Sequence, residues 1–180
     1  MTPGGINPAG LAVLLPVLGG QEQTLEARLE ALPDGDESPF ATLSSTHFAR
    51  LVLVPNLRDG ADRVLPGVPA LLFFSAESDL PVDGYLEALC ALMPREVDEI
   101  FELCEGYPGV ASPPRFKRWL LAHRVPAGFS VHGNPDATTH EVVTSLALRN
   151  QIIGFAVETQ GLEPEALFEA WRGRDWGNGA

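Results

Sequence analysis

Four histidines, two cysteines, one lysine and eleven arginines are the residues of this 180-residue chain from which chemistry could be built. His47 and Arg50 stand together in Thr-His-Phe-Ala-Arg. An imidazole exchanges protons near neutral pH, and a guanidinium, charged at any working pH, binds a carboxylate or stabilises developing negative charge. On a strand, their spacing of three puts them on opposite faces unless a bulge intervenes. The plain alternative for Arg50 is an edge arginine paired with one of the 24 acids. His132 precedes Gly-Asn-Pro, a place from which a side chain lines a pocket mouth, and an imidazole there would ligate haem iron or transfer protons. Turn-forming chemistry and simple exposure account for it as well. His47, Arg50 and His132 are the catalytic candidates; Phe48, Phe74, Ser130 and Tyr107 are the ligand-binding candidates.

The remaining reactive groups have plainer readings. Cys90 and Cys104 are fourteen residues apart, which fits neither a CxxC redox pair nor a clustered zinc set, so both read as buried small apolar residues. His123 falls near a helix end, where a cation complements the dipole, and His140 reads as a surface residue. Arg115, Lys117, Arg118 and Arg124 form a basic island that could clamp an anion. Ion pairing with Glu96, Asp98, Glu99, Glu102 and Glu105 of the preceding helix explains it more simply. With Lys117 the only lysine, a Schiff base has almost no candidate. Neither a P-loop, a GxGxxG after a strand, a GxSxG elbow nor an HExxH is present.

The elements that must position these groups follow from periodicity and breakers. Leu11–Leu18 is a short apolar run suited to a buried strand, and Leu25, Leu29 and Leu32 mark an amphipathic helix over 21–32. Thr46–Val54 and Ala70–Ala76 are strands separated by the Pro- and Gly-rich connection 56–69. From Val82 the period turns helical. A second helix starts at Pro94 and a third at Pro113-Pro114. Ala127–His132 reads as a last strand. Thr138 with Glu141 is a capping box that opens a long helix to about Glu158, followed by a shorter helix from Pro164 to Trp171. The order β-α-β-β-α-α-α-β-α-α predicts an α+β fold, with a ferredoxin-like βαββαβ antiparallel sheet, extra helices and a helical C-terminal extension. The reading is a flexible arm over 1–10, a single domain over 11–172 and a frayed tail over 173–180.

Such a sheet buries one face under helices and leaves the other to pair with a second sheet or to cradle a ligand. On 46–54 a period of two groups His47, Ala49, Leu51 and Leu53 on one side and Phe48, Arg50, Val52 and Val54 on the other. Both sides are mostly apolar. On the last strand, Gly128, Ser130 and His132 form the polar side. The ferredoxin-like order sets His47 and His132 on opposite flanks of the sheet, which argues against a two-histidine metal site.

Composition bounds the partners. Twelve basic against 24 acidic groups give a net charge of −12, a repulsive field for nucleic acid and anionic lipid alike. The expected partner is a small apolar or aromatic molecule or another protein, with a homodimer also allowed. Leu11–Leu18 is too short to span a membrane, no Lys or Arg precedes it, and Gly-Gly-Gln-Glu-Gln is a poor cleavage context, so a cytoplasmic location is expected.

The run Ser-Thr-His-Phe-Ala-Arg-Leu-Val-Leu-Val, then Ala-Leu-Leu-Phe-Phe-Ser-Ala-Glu-Ser-Asp, then Gly-Tyr-Leu-Glu-Ala-Leu resembles bacterial ferredoxin-like modules of the dimeric α+β-barrel superfamily, best over 46–108. That superfamily includes dye-decolorising peroxidases, chlorite dismutases and cofactor-free monooxygenases of aromatic polyketides. The resemblance implies an oxidoreductase-like enzyme, haem-dependent or cofactor-free, whose open sheet face forms an apolar pocket. Ser78-Asp79-Leu80 stands where an Asp-Gly pair is expected, and no proximal histidine is identifiable. The alternative is a non-catalytic accessory module whose sheet face is a protein interface.

Overall fold

A computed structural model describes residues 9–126 and 137–176 of the chain, which fall in two compact units, 1–136 and 137–180. The described residues form an α+β structure with six α-helices and one three-stranded antiparallel open sheet.

In the first unit, β1 (Ala9–Pro16), β2 (Thr46–Val54) and β3 (Leu71–Ser78) assemble in the order β1-β3-β2. Helix α1 (Glu22–Ala31) connects β1 to β2, so β3 enters between two strands that run the same way. Alternation then sorts the side chains. Leu11, Val13 and Leu15 of β1 and Leu72, Phe74 and Ala76 of β3 are buried on one face, with the partly covered Ala49, Leu51 and Leu53 of β2 beside them. Leu15, Leu72 and Phe74 are among the most completely buried side chains, so this face is the core.

Helices α2 (Val82–Leu92), α3 (Pro94–Phe101) and α4 (Pro113–Ala122) contribute the rest of that core. Tyr85, Leu86 and Leu89 of α2, Val97, Ile100 and Phe101 of α3, and Phe116 and Leu120 of α4 recur at helical spacing and are all buried. Pro94 and Pro113 stand at the helix starts, where a missing N–H costs nothing. Phe101, Tyr107, Phe116 and Trp119 meet in an aromatic cluster with centroid separations of 5.2–6.4 Å. Gly106 takes a φ of 70° against the Trp119 indole, where an added Cβ would lie 3.5 Å from Nε1. Trp119 Nε1 in turn donates to the Glu105 carbonyl at 3.0 Å.

Two sequence expectations are revised. The described sheet has three strands and is not a full βαββαβ ferredoxin sheet; the expected fourth strand, Ala127–His132, lies outside the described residues. The chain leading to it does run along the outer edge of β1: Leu14 N–H donates to His123 O at 3.1 Å, and Val125 N–H donates to Ala12 O at 2.8 Å. The basic island is also partnered differently. Lys117 Nζ pairs with Asp83 and Glu87 of α2 at 2.7 and 2.8 Å, while Glu102 pairs with Arg28 of α1 and Glu99 with Arg95. Packing of α4 against α2 decides the first pairing, and packing of α1 against α3 the second.

The second unit is a helical hairpin. Helix α5 (Thr139–Glu158) opens on the expected capping box: Thr138 Oγ1 accepts the Glu141 N–H at 3.1 Å, and Glu141 Oε2 accepts the Thr138 N–H at 2.7 Å. Gly161, at a φ of 82°, turns the chain into α6 (Pro164–Gly173). Phe155 is the buried anchor, with the Trp171 and Trp176 rings edge-on at 5.4 and 5.2 Å. No helix among the described residues is long and apolar enough to cross a membrane.

Candidate functional site

The second face of the sheet carries no helix of the first unit's core on it. Across the three strands, Leu14, Phe73 and Val52 form one cross-strand row, Ala12, Ser75 and Arg50 the next, and Glu77 with Phe48 a third. Phe48, Arg50 and Val52 are exposed and Leu14, Phe73, Ser75 and Glu77 half-buried, so the face is apolar with a few polar groups at one end.

A bulge sets what that polar end contains. Ser78 pairs with Thr46 and Glu77 with Phe48, so His47 is the extra residue on β2. Thr46 opposes the core-facing Ser78, and Phe48 opposes the outward Glu77. The intervening His47 therefore shares the open side with Phe48 and Arg50. Simple alternation groups His47 with Ala49, Leu51 and Leu53; the inserted residue resets the phase.

His47 then meets a residue that sequence reading registered only as a departure from a motif. Its Nε2 lies 2.7 Å from Asp79 Oδ1, both side chains being largely covered. Asp79 N–H donates to Ser45 O at 2.9 Å, and Ser78 Oγ donates to Ser45 Oγ at 3.2 Å, which tie the end of β3 to the start of β2. An ionised carboxylate accepts only, so Nε2–H donates and Nδ1 is the basic nitrogen of the neutral ring. A histidine oriented by a carboxylate is the arrangement by which proteins fix a tautomer for proton transfer.

Comparison with protein-family models, curated proteins and solved structures gave no match for this chain.

The other sequence candidates are dispersed. Phe74 is fully buried on the helix-covered face, between Phe40 at 6.0 Å and Phe101 at 5.6 Å; its neighbour Phe73 is on the open face, as is Phe48. Tyr107 belongs to the aromatic cluster, where its hydroxyl donates to Asp98 Oδ1 at 2.6 Å. Burial and that carboxylate push its phenol well above the usual range. Ser130 and His132 lie outside the described residues. His123 Nδ1 is 2.9 Å from the Trp119 carbonyl at the end of α4, an intrahelical contact. Cys90 and Cys104 are buried thiols, and burial pushes Cys104 up to about 12, which leaves it protonated and unreactive.

Among the described residues no group of three or more His, Cys, Asp and Glu side chains is placed to hold a metal ion. His47 does not suit an axial haem ligand either. The nitrogen that projects furthest from its backbone, Nε2, is the one held by Asp79.

The signals for the missed residues were register and parity. Antiparallel pairing of β2 with β3 brings the first residues of one beside the last of the other, so Asp79 had to lie near His47 once Thr46 was matched to Ser78. Val52 and Phe73 sit directly opposite each other in the same register.

Proposed function

We propose that the open sheet face binds a small apolar or aromatic molecule and that His47, held by Asp79, exchanges a proton with it. The observation that supports this reading is the 2.7 Å contact between His47 and Asp79 on the face that also carries Phe48, Arg50, Val52 and Phe73. The apolar rows cover the hydrocarbon part of the ligand. An acidic C–H or O–H group of the ligand delivers its proton to His47 Nδ1, the electron pair stays on the ligand as an enolate or phenolate, and Asp79 stabilises the imidazolium. Arg50, two places along the same face, supplies a permanent positive charge for the anion. This is the cofactor-free branch of the oxidoreductase-like reading, limited to its proton-transfer step.

Saturation-transfer NMR against hydroxylated aromatic compounds tests the binding. The expected result is a signal lost in Val52→Glu and retained in Leu146→Glu, which alters an exposed residue of the other unit. Deuterium exchange into a bound ligand tests the proton transfer; it should fall in His47→Gln while binding persists. Binding unaffected by Val52→Glu refutes the reading. A second reading, that the face docks a partner protein, draws on the exposure of Phe48 and Val52 on the open face. Loss of a copurifying protein in Val52→Glu, with no small-molecule signal in the parent, would select it.

A further inference from the structure

We propose that two copies of this chain pair in parallel through α5, in register, with Asn150 of one copy against Asn150 of the other. Val143, Leu146, Asn150, Ile153 and Val157 recur at intervals of 3, 4, 3 and 4, the a and d spacing of a two-stranded coiled coil. The helix runs unbroken through them, and Val143 to Val157 spans about 21 Å at 1.5 Å per residue. These side chains are left uncovered: Val143 is 60%, Leu146 48%, Ile153 49% and Val157 63% exposed. On the opposite side of α5, Ile152, Phe155 and Thr159 line an apolar groove of about 630 Å³ with Pro164, Leu167 and Trp171 of the α6 region. The stripe therefore remains available while α6 stays in place.

Two arguments select a second copy as the occupant. The first is Asn150. Against an apolar partner surface its amide would be buried without a hydrogen-bond partner, whereas in a parallel, in-register pair the two amides meet at one a position. An antiparallel pair would set Asn150 against Ile153, because a positions then face d positions.

The second is charge. The chain carries −12 overall, yet α5 holds only Glu141, Arg149 and Glu158 as fully charged side chains. The positions flanking the stripe are Val142, Ala147, Arg149, Gly154 and Ala156, so no like charges face each other across a parallel pair.

Sedimentation velocity of the full chain over a range of concentrations should show a dimer. Leu146→Glu combined with Ile153→Glu should give a monomer with unchanged circular dichroism, because both residues are exposed and leave no core contact behind. Independently, Val143→Cys should form a covalent dimer on mild oxidation, while the parent, whose thiols are buried, should not. A monomer at every concentration overturns the proposal, as does a dimer that survives both glutamates. A dimer that Val143→Cys fails to cross-link overturns the parallel register.

Discussion

His47 and Asp79 are 32 residues apart in the chain, yet their side chains meet at 2.7 Å because a one-residue bulge turns His47 out of the core. The pair closes the end of the β2–β3 ladder and supplies the one oriented imidazole on the open sheet face among the described residues. A double-mutant cycle measures its worth. With His47→Ala, Asp79→Ala and the double variant in urea denaturation, the expected coupling is about 1 kcal/mol. A coupling near zero would make the contact incidental.

Phe74 anchors the core rather than a ligand site. It is fully buried between Phe40 and Phe101, so Phe74→Ala should cost about 3–5 kcal/mol by loss of burial and creation of a cavity. Phe73→Ala, on the open face, should cost less than half of that and should instead weaken ligand binding. Equal losses of stability would contradict the assignment of faces.

Alkaline pH should destabilise the first unit. The Cys104 thiol ordinarily titrates near 9 and is held up to about 12 in the folded protein by burial. Between those values the unfolded chain releases a proton that the native state keeps, so stability is full below about pH 9 and falls as pH rises towards 12. Burial also raises Tyr85 and Tyr107, which extends the loss in the same direction. Urea midpoints measured from pH 8 to 11 should decline, and Cys104→Ala should flatten the decline while lowering the midpoint at pH 8. An unchanged slope in the variant would remove Cys104 as a source.

Helix α5 depends on its first turn. Thr138→Ala removes the acceptor for the Glu141 N–H and should cost about 1 kcal/mol of local stability. Hydrogen exchange should show faster exchange at the start of α5 and none of it in β1–β3. If self-association requires an ordered α5, the same variant weakens the dimer without abolishing it.

The type and order of the described elements were legible in the chain because they rest on local rules, while the bounds of β1 (Ala9–Pro16, read as Leu11–Leu18) were not. Periodicity placed β2 and α2 to within a residue at each end, Pro94 and Pro113 marked helix starts, and Thr138 with Glu141 marked the cap of α5. The faces of β2 were legible only beyond the bulge. An inserted residue leaves no mark in hydrophobic alternation, since His47 has a credible reading on either side.

The candidate site was legible in part. His47, Arg50 and Phe48 were identified as residues and Val52 shared a side with Phe48 and Arg50 by alternation, but Asp79 and Phe73 joined them only through the register of β2 on β3. Phe74 and Tyr107 are aromatic residues of the right type, and packing places Phe74 in the core and the half-buried Tyr107 against it.

What the sequence determined by itself is the order of the described secondary elements, the α+β class and a net charge of −12, because propensity, breakers and charge are properties of short segments or of composition. The tertiary structure decided which side chains share a face, that Lys117 answers Asp83 and Glu87, and that His47 turns outward to Asp79. Those outcomes depend on strand register and helix packing, which join residues far apart in the chain and are set by the whole fold.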